Sequence, residues 1–243
     1  MIGRPDTHRQ AFLATSLAAV RANIADACTA IGRSVAEITL IAVTKGFPVE
    51  DIQTLVRLGV NDVGESRDQA AREKVAELAA AADVDAASVR WHFIGQLQTN
   101  KARSVAQYAH AVHSVDRPEL ITALSAGAAR VERDIDAFIQ VSLDGDAGRG
   151  GARIDEVARL AELVVGAPRL RLAGVMAVAP LGQEPDAAFA TLAEVSQRLR
   201  VQYPDASAIS AGMSTDFAIA LAHGATHLRI GSALLGRRND ILR

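Results

Sequence analysis

Lys45 is the residue of the chain best suited to covalent chemistry. It follows the run Ile38-Thr39-Leu40-Ile41-Ala42-Val43-Thr44 and stands directly before Gly46. A β-branched, apolar run of this kind forms a strand buried on both faces. A lysine at its mouth is expected at the edge of a low-dielectric core. Desolvation there disfavours the ammonium and leaves a nucleophilic amine suited to a Schiff base. The alternative is an ordinary strand-end lysine whose stem lies on apolar surface while its head reaches water.

Two later segments could hold an anion. Gly212-Met213-Ser214-Thr215-Asp216 runs into the helical stretch Phe217 to Ala222, and Arg229-Ile230-Gly231-Ser232 runs into Ala233-Leu234-Leu235. Small residues let the backbone approach a ligand, first helical turns carry unpaired N–H groups, and Ser214 and Thr215 add hydroxyls. Two such junctions with Arg229 between them would make a phosphate cup. Ser214 and Ser232 could equally be simple N-caps. Alternation places Leu228 and Ile230 on one strand face and His227 with Arg229 on the other. If the apolar pair packs outward, Arg229 points into the interior and requires an anion there. That anion is either a bound phosphate or an internal partner, Asp144 or Glu65.

Other candidates are weaker. His92, inside Trp91-His92-Phe93-Ile94-Gly95, reads as a hydrogen-bonded strand histidine rather than a catalyst. His110, His113, His223 and His227 have no carboxylate or second histidine at a spacing that suggests a metal. Asn100 and Lys101 could reach a ligand or cap a helix. The glycine-rich loop Asp144 to Gly151 lacks the later acidic ligand of a calcium loop and reads as a flexible flap.

The elements that must position these residues alternate regularly. An opening helix spans residues 7–31, with Phe12, Leu13, Leu17, Val20 and Ile24 at helical spacing. Strands are expected at residues 38–44, 60–63, 89–94, 111–115, 135–143, 172–178, 208–211 and 227–230. Helices between them are expected at residues 49–58, 67–82, 101–108, 119–131, 154–165, 186–202 and 215–222. Ser66-Arg67-Asp68-Gln69 and Asp116-Arg117-Pro118-Glu119 fit capping boxes, the second with proline in the first turn. This pattern predicts one closed (β/α)8 barrel, a TIM barrel, with an extra N-terminal helix, over residues 1–243. A doubly wound open sheet is the competing arrangement. On a barrel, sites form at the C-terminal ends of strands, where Lys45, Ser66, Met213 to Thr215 and Gly231 all fall.

Composition excludes several classes. A net charge of −2 provides no field for nucleic acid or an anionic membrane. Cys28 is the sole cysteine, so no internal disulfide can form. Met1-Ile2-Gly3-Arg4-Pro5-Asp6 lacks the apolar core of a signal peptide, and no apolar stretch is long enough to cross a bilayer. The expectation is a soluble, cytoplasmic protein.

The assembled motifs resemble the pyridoxal phosphate homeostasis proteins (YggS-like), which are similar to the N-terminal barrel of alanine racemase. They are Ile41-Ala42-Val43-Thr44-Lys45, Gly64-Glu65, the string from Trp91 to Lys101, His113-Ser114-Val115-Asp116-Arg117, Gly212-Met213-Ser214-Thr215-Asp216 and Arg229-Ile230-Gly231. The resemblance covers nearly the whole chain, in one order. It implies a type III pyridoxal phosphate fold with Lys45 as the internal aldimine, and with Ser214, Thr215, Arg229 and Gly231 around the phosphate. Ser66, where the family usually has asparagine, and Met213 would complete the site. Gly46-Phe47-Pro48 and the loop from Asp144 also depart from the family pattern.

The resemblance further implies binding of pyridoxal 5'-phosphate and a role in maintaining its supply, with apo forms of pyridoxal phosphate enzymes as partners; the lack of an extra domain in this sequence makes a monomer the expected state. A low-activity amino-acid racemase is the alternative, and a structural barrel without cofactor a third reading. Racemisation needs a second positioned acid–base group opposite the lysine. Alanine racemases take it from a tyrosine in an additional C-terminal domain, whereas this sequence stops after the eighth barrel unit. Its two tyrosines, Tyr108 and Tyr203, are not at strand ends that bear a site.

Overall fold

Each strand is short and is followed by a helix that carries the chain back to the start of the next, so every pairing is parallel. The computed structural model describes residues 7–81, 84–145, 150–180, 182 and 184–237. The strands are β1 (Thr39–Val43), β2 (Asp62–Glu65), β3 (Arg90–Phe93), β4 (Ala109–Val115), β5 (Ile135–Gln140), β6 (Leu170–Met176), β7 (Ala208–Ser210) and β8 (His227–Ile230). They pair in sequence order, and β8 closes on β1 with Ala42 beside Ile230. The sheet is therefore a closed barrel, as alternation predicts, and not a doubly wound open sheet. The helices are α1 (Thr7–Ala30), α2 (Val49–Arg57), α3 (Asp68–Ala80), α4 (Ala102–Val105), α5 (Pro118–Arg130), α6 (Val157–Val165), α7 (Pro185–Gln202), α8 (Phe217–Ala222) and α9 (Ser232–Leu235).

Outward-facing strand residues such as Ala42, Val63, Trp91, Phe93, Val112, Leu228 and Ile230 pack with the helices in one continuous apolar shell. The interior is different. Ala111, Phe138 and Met176 form a small apolar cluster there. Much of the remaining lining is polar, including buried His92, His113, Ser210 and Arg229. Barrel interiors are usually filled by layers of branched aliphatic residues. One wall requires glycine: a Cβ on Gly174, at φ +153°, would lie 1.9 Å from the carbonyl oxygen of Ala208. The β6–β7 backbones could not approach so closely with any side chain there.

Helix α1 adds an outer layer. Leu13, Leu17, Val20, Ile24 and Cys28 form its buried seam, one residue every three or four. Arg9 fixes its beginning: Nε and Nη2 donate to the two carboxylate oxygens of Asp51 at 2.9 and 2.6 Å, and Nη2 also reaches the Leu235 carbonyl. The same guanidinium lies 5.5 Å from the Phe47 ring centroid, so α1 braces the turn after Lys45.

Several boundaries differ from expectation. Strand β5 ends at Gln140 because beyond it the chain keeps only an isolated bridge between Val141 and Ala152. Neither expected capping box forms. Arg67 and Arg117 occupy the N-cap positions of α3 and α5 without side-chain caps. Ser66 caps nothing, and Asp68 accepts from Ser104 Oγ at 2.9 Å, joining α3 to α4. Asp116 accepts from Arg117 at 2.6 Å and from the Gly151 amide at 3.3 Å, tying the loop after β4 to the one after β5. Pro118 does open α5, as its fixed φ favours. Residues 146–149 of the expected flap lie outside the described residues.

Candidate functional site

The expected site residues converge on one sector of the rim. Lys45 follows β1, Ser66 follows β2, Met213, Ser214 and Thr215 follow β7, and Arg229 and Gly231 lie in and just after β8. These four strands are consecutive around the closed barrel in the order β7, β8, β1, β2.

Lys45 is aimed by its predecessors. Val43 projects inward, since a Cβ on Gly64 or on Gly231 would touch it at 3.5 Å. Thr44, by alternation, faces outward and is fully buried. Its hydroxyl donates to Glu65 Oε1 at 2.7 Å, while Lys74 of α3 donates to the Thr44 carbonyl at 2.8 Å and pairs with Glu65. This buried triad grips the residue immediately before Lys45. The strand stops at Val43, however, and the turn through Gly46 at φ +81° raises Lys45 above the rim. Lys45 is exposed, so the expected desolvation at the edge of the core is not seen.

The two junctions after β7 and β8 are joined to each other. Ser214 Oγ accepts the amide of Ala233 at 3.2 Å, across the gap between them. The reading of Ser214 and Ser232 as N-caps is therefore overturned. Asp216 is the N-cap of α8 and accepts the Met213 amide at 2.6 Å, while Gly231 precedes α9 without a side-chain cap. Helix α8 consequently starts at Phe217 rather than Thr215. Among the described residues, the amides of Ser214, Thr215 and Ser232 find no protein acceptor. Gly212, at φ +90°, has no room for a side chain, because a Cβ would press on Ala220 and Phe217 at 2.9 Å. Gly231 has ordinary space beside it: the nearest atoms to a Cβ there belong to Val43, the closest at 3.5 Å.

Arg229 projects inward, as alternation predicts, and is 6% exposed. Nη1 donates to Ser210 Oγ at 2.7 Å and Nη2 to the Ala177 carbonyl at 2.8 Å. An internal ion pair with Asp144 or Glu65 is not what holds it. Glu65 is engaged outside the barrel by Thr44 and Lys74, and no described carboxylate pairs with Arg229. Burial draws the guanidinium down to about 10, partly opposed by the charge of Asp216, so it remains cationic at neutral pH. A buried cation with two neutral acceptors is a costly arrangement unless an anion lies nearby.

Beneath Arg229 runs a line of polar side chains that sequence reasoning missed. His113 Nδ1 is 2.8 Å from Ser210 Oγ, His113 Nε2 is 2.9 Å from His92 Nδ1, and His92 Nε2 is 2.9 Å from Asp62 Oδ1. Arg90 donates to both Asp62 oxygens. Burial alone would raise the Asp62 carboxyl, but hydrogen bonds from Arg90 and His92 outweigh it and hold the group well below the usual range. Burial, reinforced by the surrounding histidines and Arg229, holds His113 well below the ordinary imidazole value and, partly opposed by Asp62, pulls His227 down to about 4. His92 is thus a hydrogen-bonded strand histidine, as expected, but as part of a chain rather than alone. The alternation that placed Arg229 inward applies equally to His92, His113 and Ser210 and would have revealed it.

The comparisons agree with this architecture. Residues 15–239 match the profile of the alanine racemase N-terminal domain. A pyridoxal phosphate homeostasis protein of Mycobacterium leprae is 43% identical over 240 residues, covering 94% of this chain and 93% of the relative. The structure of PipY from Synechococcus elongatus with pyridoxal phosphate bound superposes with a TM-score of 0.78 at 31% identity, over 92% of this chain and all of PipY. Alanine racemase from Streptomyces coelicolor shares the fold, with a TM-score of 0.63 at 16% identity, over 92% of this chain and 61% of the racemase. The chain belongs to the pyridoxal phosphate homeostasis protein family, built on the alanine racemase N-terminal barrel.

Proposed function

We propose that this protein, as one barrel domain, binds pyridoxal 5'-phosphate at the rim above β7, β8, β1 and β2 and holds it for intracellular supply. The observation that carries the reading is Arg229, a buried cation without a carboxylate partner, beneath a rim that also offers an amine and open amides. The M. leprae relative carries the homeostasis name, and the PipY structure contains the cofactor.

The donor set suits the group. Ser214, Thr215 and Ser232 present amides and hydroxyls to a phosphate, and Gly231 leaves room for it. Arg229 contributes positive potential from below. Ser66, half-buried beside β1, can donate a hydrogen bond from the opposite side, and exposed Met213 can cover an apolar ring face. The bound cofactor supplies an aldehyde that condenses reversibly with an amine, and Lys45 provides that amine. Because Lys45 is exposed, water and a receiving protein can both reach it.

Among the described residues, neither tyrosine stands at the rim as a second acid–base group for a racemase. Tyr108 is buried, with its hydroxyl 3.4 Å from Asp68, and Tyr203 directly follows α7. Tyr203 lies where a helix leads into the next strand, away from the site-bearing strand ends, and the Tyr108 hydroxyl is turned to Asp68 in the outer shell. The proposed setting is the cytoplasm, with the protein a monomer and apo-enzymes that need the cofactor as recipients. No helix among the described residues is long and apolar enough to cross a membrane.

Reconstituted protein should absorb near the wavelength of a protonated Schiff base, and Lys45→Ala should abolish that band. Transfer of bound cofactor to an apo-enzyme should outpace release into buffer. A wild-type protein that stays colourless with pyridoxal phosphate refutes the binding reading. Rapid exchange of the α-proton of L-alanine in D2O, with inversion, refutes the carrier reading in favour of a racemase.

A further inference from the structure

We propose that Asp62, His92, His113 and Ser210 form a column of one-way hydrogen bonds that positions Arg229 beneath the rim, making them positioning residues for the anion bound there. The proposal rests on the functional reading above for what the rim binds, but the order of protons in the column stands without it.

The order follows from the two ends. Asp62, held as a carboxylate by Arg90 and His92, can only accept. Arg229 can only donate. Four hydrogen bonds separate them: Asp62 to His92, His92 to His113, His113 to Ser210, and Ser210 to Arg229. Each neutral histidine brings one N–H, Ser210 brings one O–H, and Arg229 supplies the last proton. The protons equal the links when His92 donates from Nε2 to Asp62, His113 donates from Nε2 to His92 Nδ1, and Ser210 donates to His113 Nδ1. The Ser210 oxygen then accepts from Arg229. No other neutral arrangement fills every link.

One additional proton disrupts this order. With His92 doubly protonated, His113 must change tautomer and donate from Nδ1 to Ser210. Ser210 must then turn its hydroxyl hydrogen away from the column, where a buried donor without an acceptor is costly. The lower end can exchange with water, because Asp62 and Arg90 border a cavity of about 390 Å3 at the barrel base, together with Asn61 and Arg21. The groups facing the column set the balance. Around His113, the side chains of His92, His227, Arg229 and His110 all oppose a positive charge, while Asp62 accepts at the foot of the column, Asp136 lies beside His110 and Asp216 beside Arg229. His113 lies deepest, stacked on Phe138 with ring centroids 4.3 Å apart, and its burial decides for the neutral form. A neutral column gives Arg229 one fixed acceptor at Ser210 and one at Ala177, so its charge does not wander.

The test has two arms. In the first, 15N NMR of the full-length protein without cofactor reads the histidine tautomers at neutral pH. His92 and His113 should both carry the proton on Nε2 with Nδ1 as an acceptor. A cationic His113, or an Nδ1-protonated one, overturns the proposal whether or not any variant folds. In the second arm, Ser210→Ala and His113→Phe are loaded with pyridoxal phosphate and its release is timed. Each should speed release about tenfold, and the double variant should be no faster than the worse single, because both changes break one column. Additive effects, or release at the wild-type rate from folded variants, also overturn it. If the wild-type protein takes up no cofactor, the functional reading fails, and the tautomer result alone decides the column.

Discussion

The buried triad behind Lys45 supports a quantitative prediction. Glu65 is 2% exposed and its partner Lys74 11% exposed at the side chain. Lys74→Met leaves the Glu65 carboxylate in the shell with the Thr44 hydroxyl as its remaining partner, and strips the Thr44 carbonyl of its donor. Removing one member of a buried pair costs about 3–5 kcal/mol, because the other charge stays desolvated. With a urea m-value of about 3 kcal/mol/M, the unfolding midpoint should fall by about 1 M or more at unchanged slope. The double variant Lys74→Met/Glu65→Leu removes both charges and should recover to within about 1–2 kcal/mol of the wild type. Urea titration by circular dichroism measures all three proteins. The single variant should also release pyridoxal phosphate faster, since Thr44 is the residue that aims Lys45. A loss below about 1 kcal/mol in the single variant, or a double variant no better than the single, refutes the assignment of this pair as a desolvated brace.

Three further outcomes follow from the same geometry. Burial lowers His227 to about 4, below the unfolded imidazole at about 6.5. Between those values the unfolded chain binds the extra proton, so stability should fall as pH drops from about 6.5 to 4, and His227→Asn should flatten that limb in thermal melts. Asp62 has the opposite chemistry but the same sign. Its folded carboxyl is depressed, so its contribution is complete above the unfolded value of about 3.9 and is lost as pH falls below it; Asp62→Asn should remove this acid-side loss. Gly174→Ala places a methyl group against the Ala208 carbonyl at a positive φ, and should cost more than about 3 kcal/mol or prevent soluble expression, whereas an alanine at exposed Gly145 should cost about 1 kcal/mol or less.

Much of the barrel was legible because most strands carry apolar residues on at least one face and are followed by a helical pattern, and period two separates the faces. Alternation placed Arg229 inward from four residues of sequence alone. The details it could not supply depend on partners distant in the chain. From sequence, Glu65 is a candidate partner for Arg229, because a sequence does not show that Lys74, one helix later, takes that carboxylate to the outer face. Ser66 and Asp116 stand at the offsets of capping residues. Yet Asp116 bonds Arg117 and the Gly151 amide instead, since the neighbouring loop offers it better donors. The shielding expected of Lys45 assumes that β1 runs through Thr44 to the mouth, but the strand ends one residue earlier, at Val43, and the chain turns at Gly46. The histidine column was the largest omission. Spacing within a segment says nothing of partners on other strands, whereas the histidines associate through strand register, which puts His92 beside Ala111 on the neighbouring strand and His113 within bonding range.

The placement of charge suggests how one barrel can both hold and surrender a ligand. The apolar shell between strands and helices holds most of the buried apolar side chains, and this leaves much of the interior free to be polar. Arg229 then stands desolvated with neutral acceptors only, so an anion above it relieves a cost already present in the folded chain. Binding and stability must therefore be coupled: a ligand at a hundred times its Kd should stabilise the protein by about 2.7 kcal/mol. Arg229→Met removes both the cost and the attraction. The variant should lose most of this ligand-induced rise in melting temperature while its own ligand-free stability changes less than that of Lys74→Met. If instead Arg229→Met melts far below the wild type without ligand and keeps the full ligand-induced rise, the buried guanidinium is a structural strut, and the anion must be held by the junction amides alone.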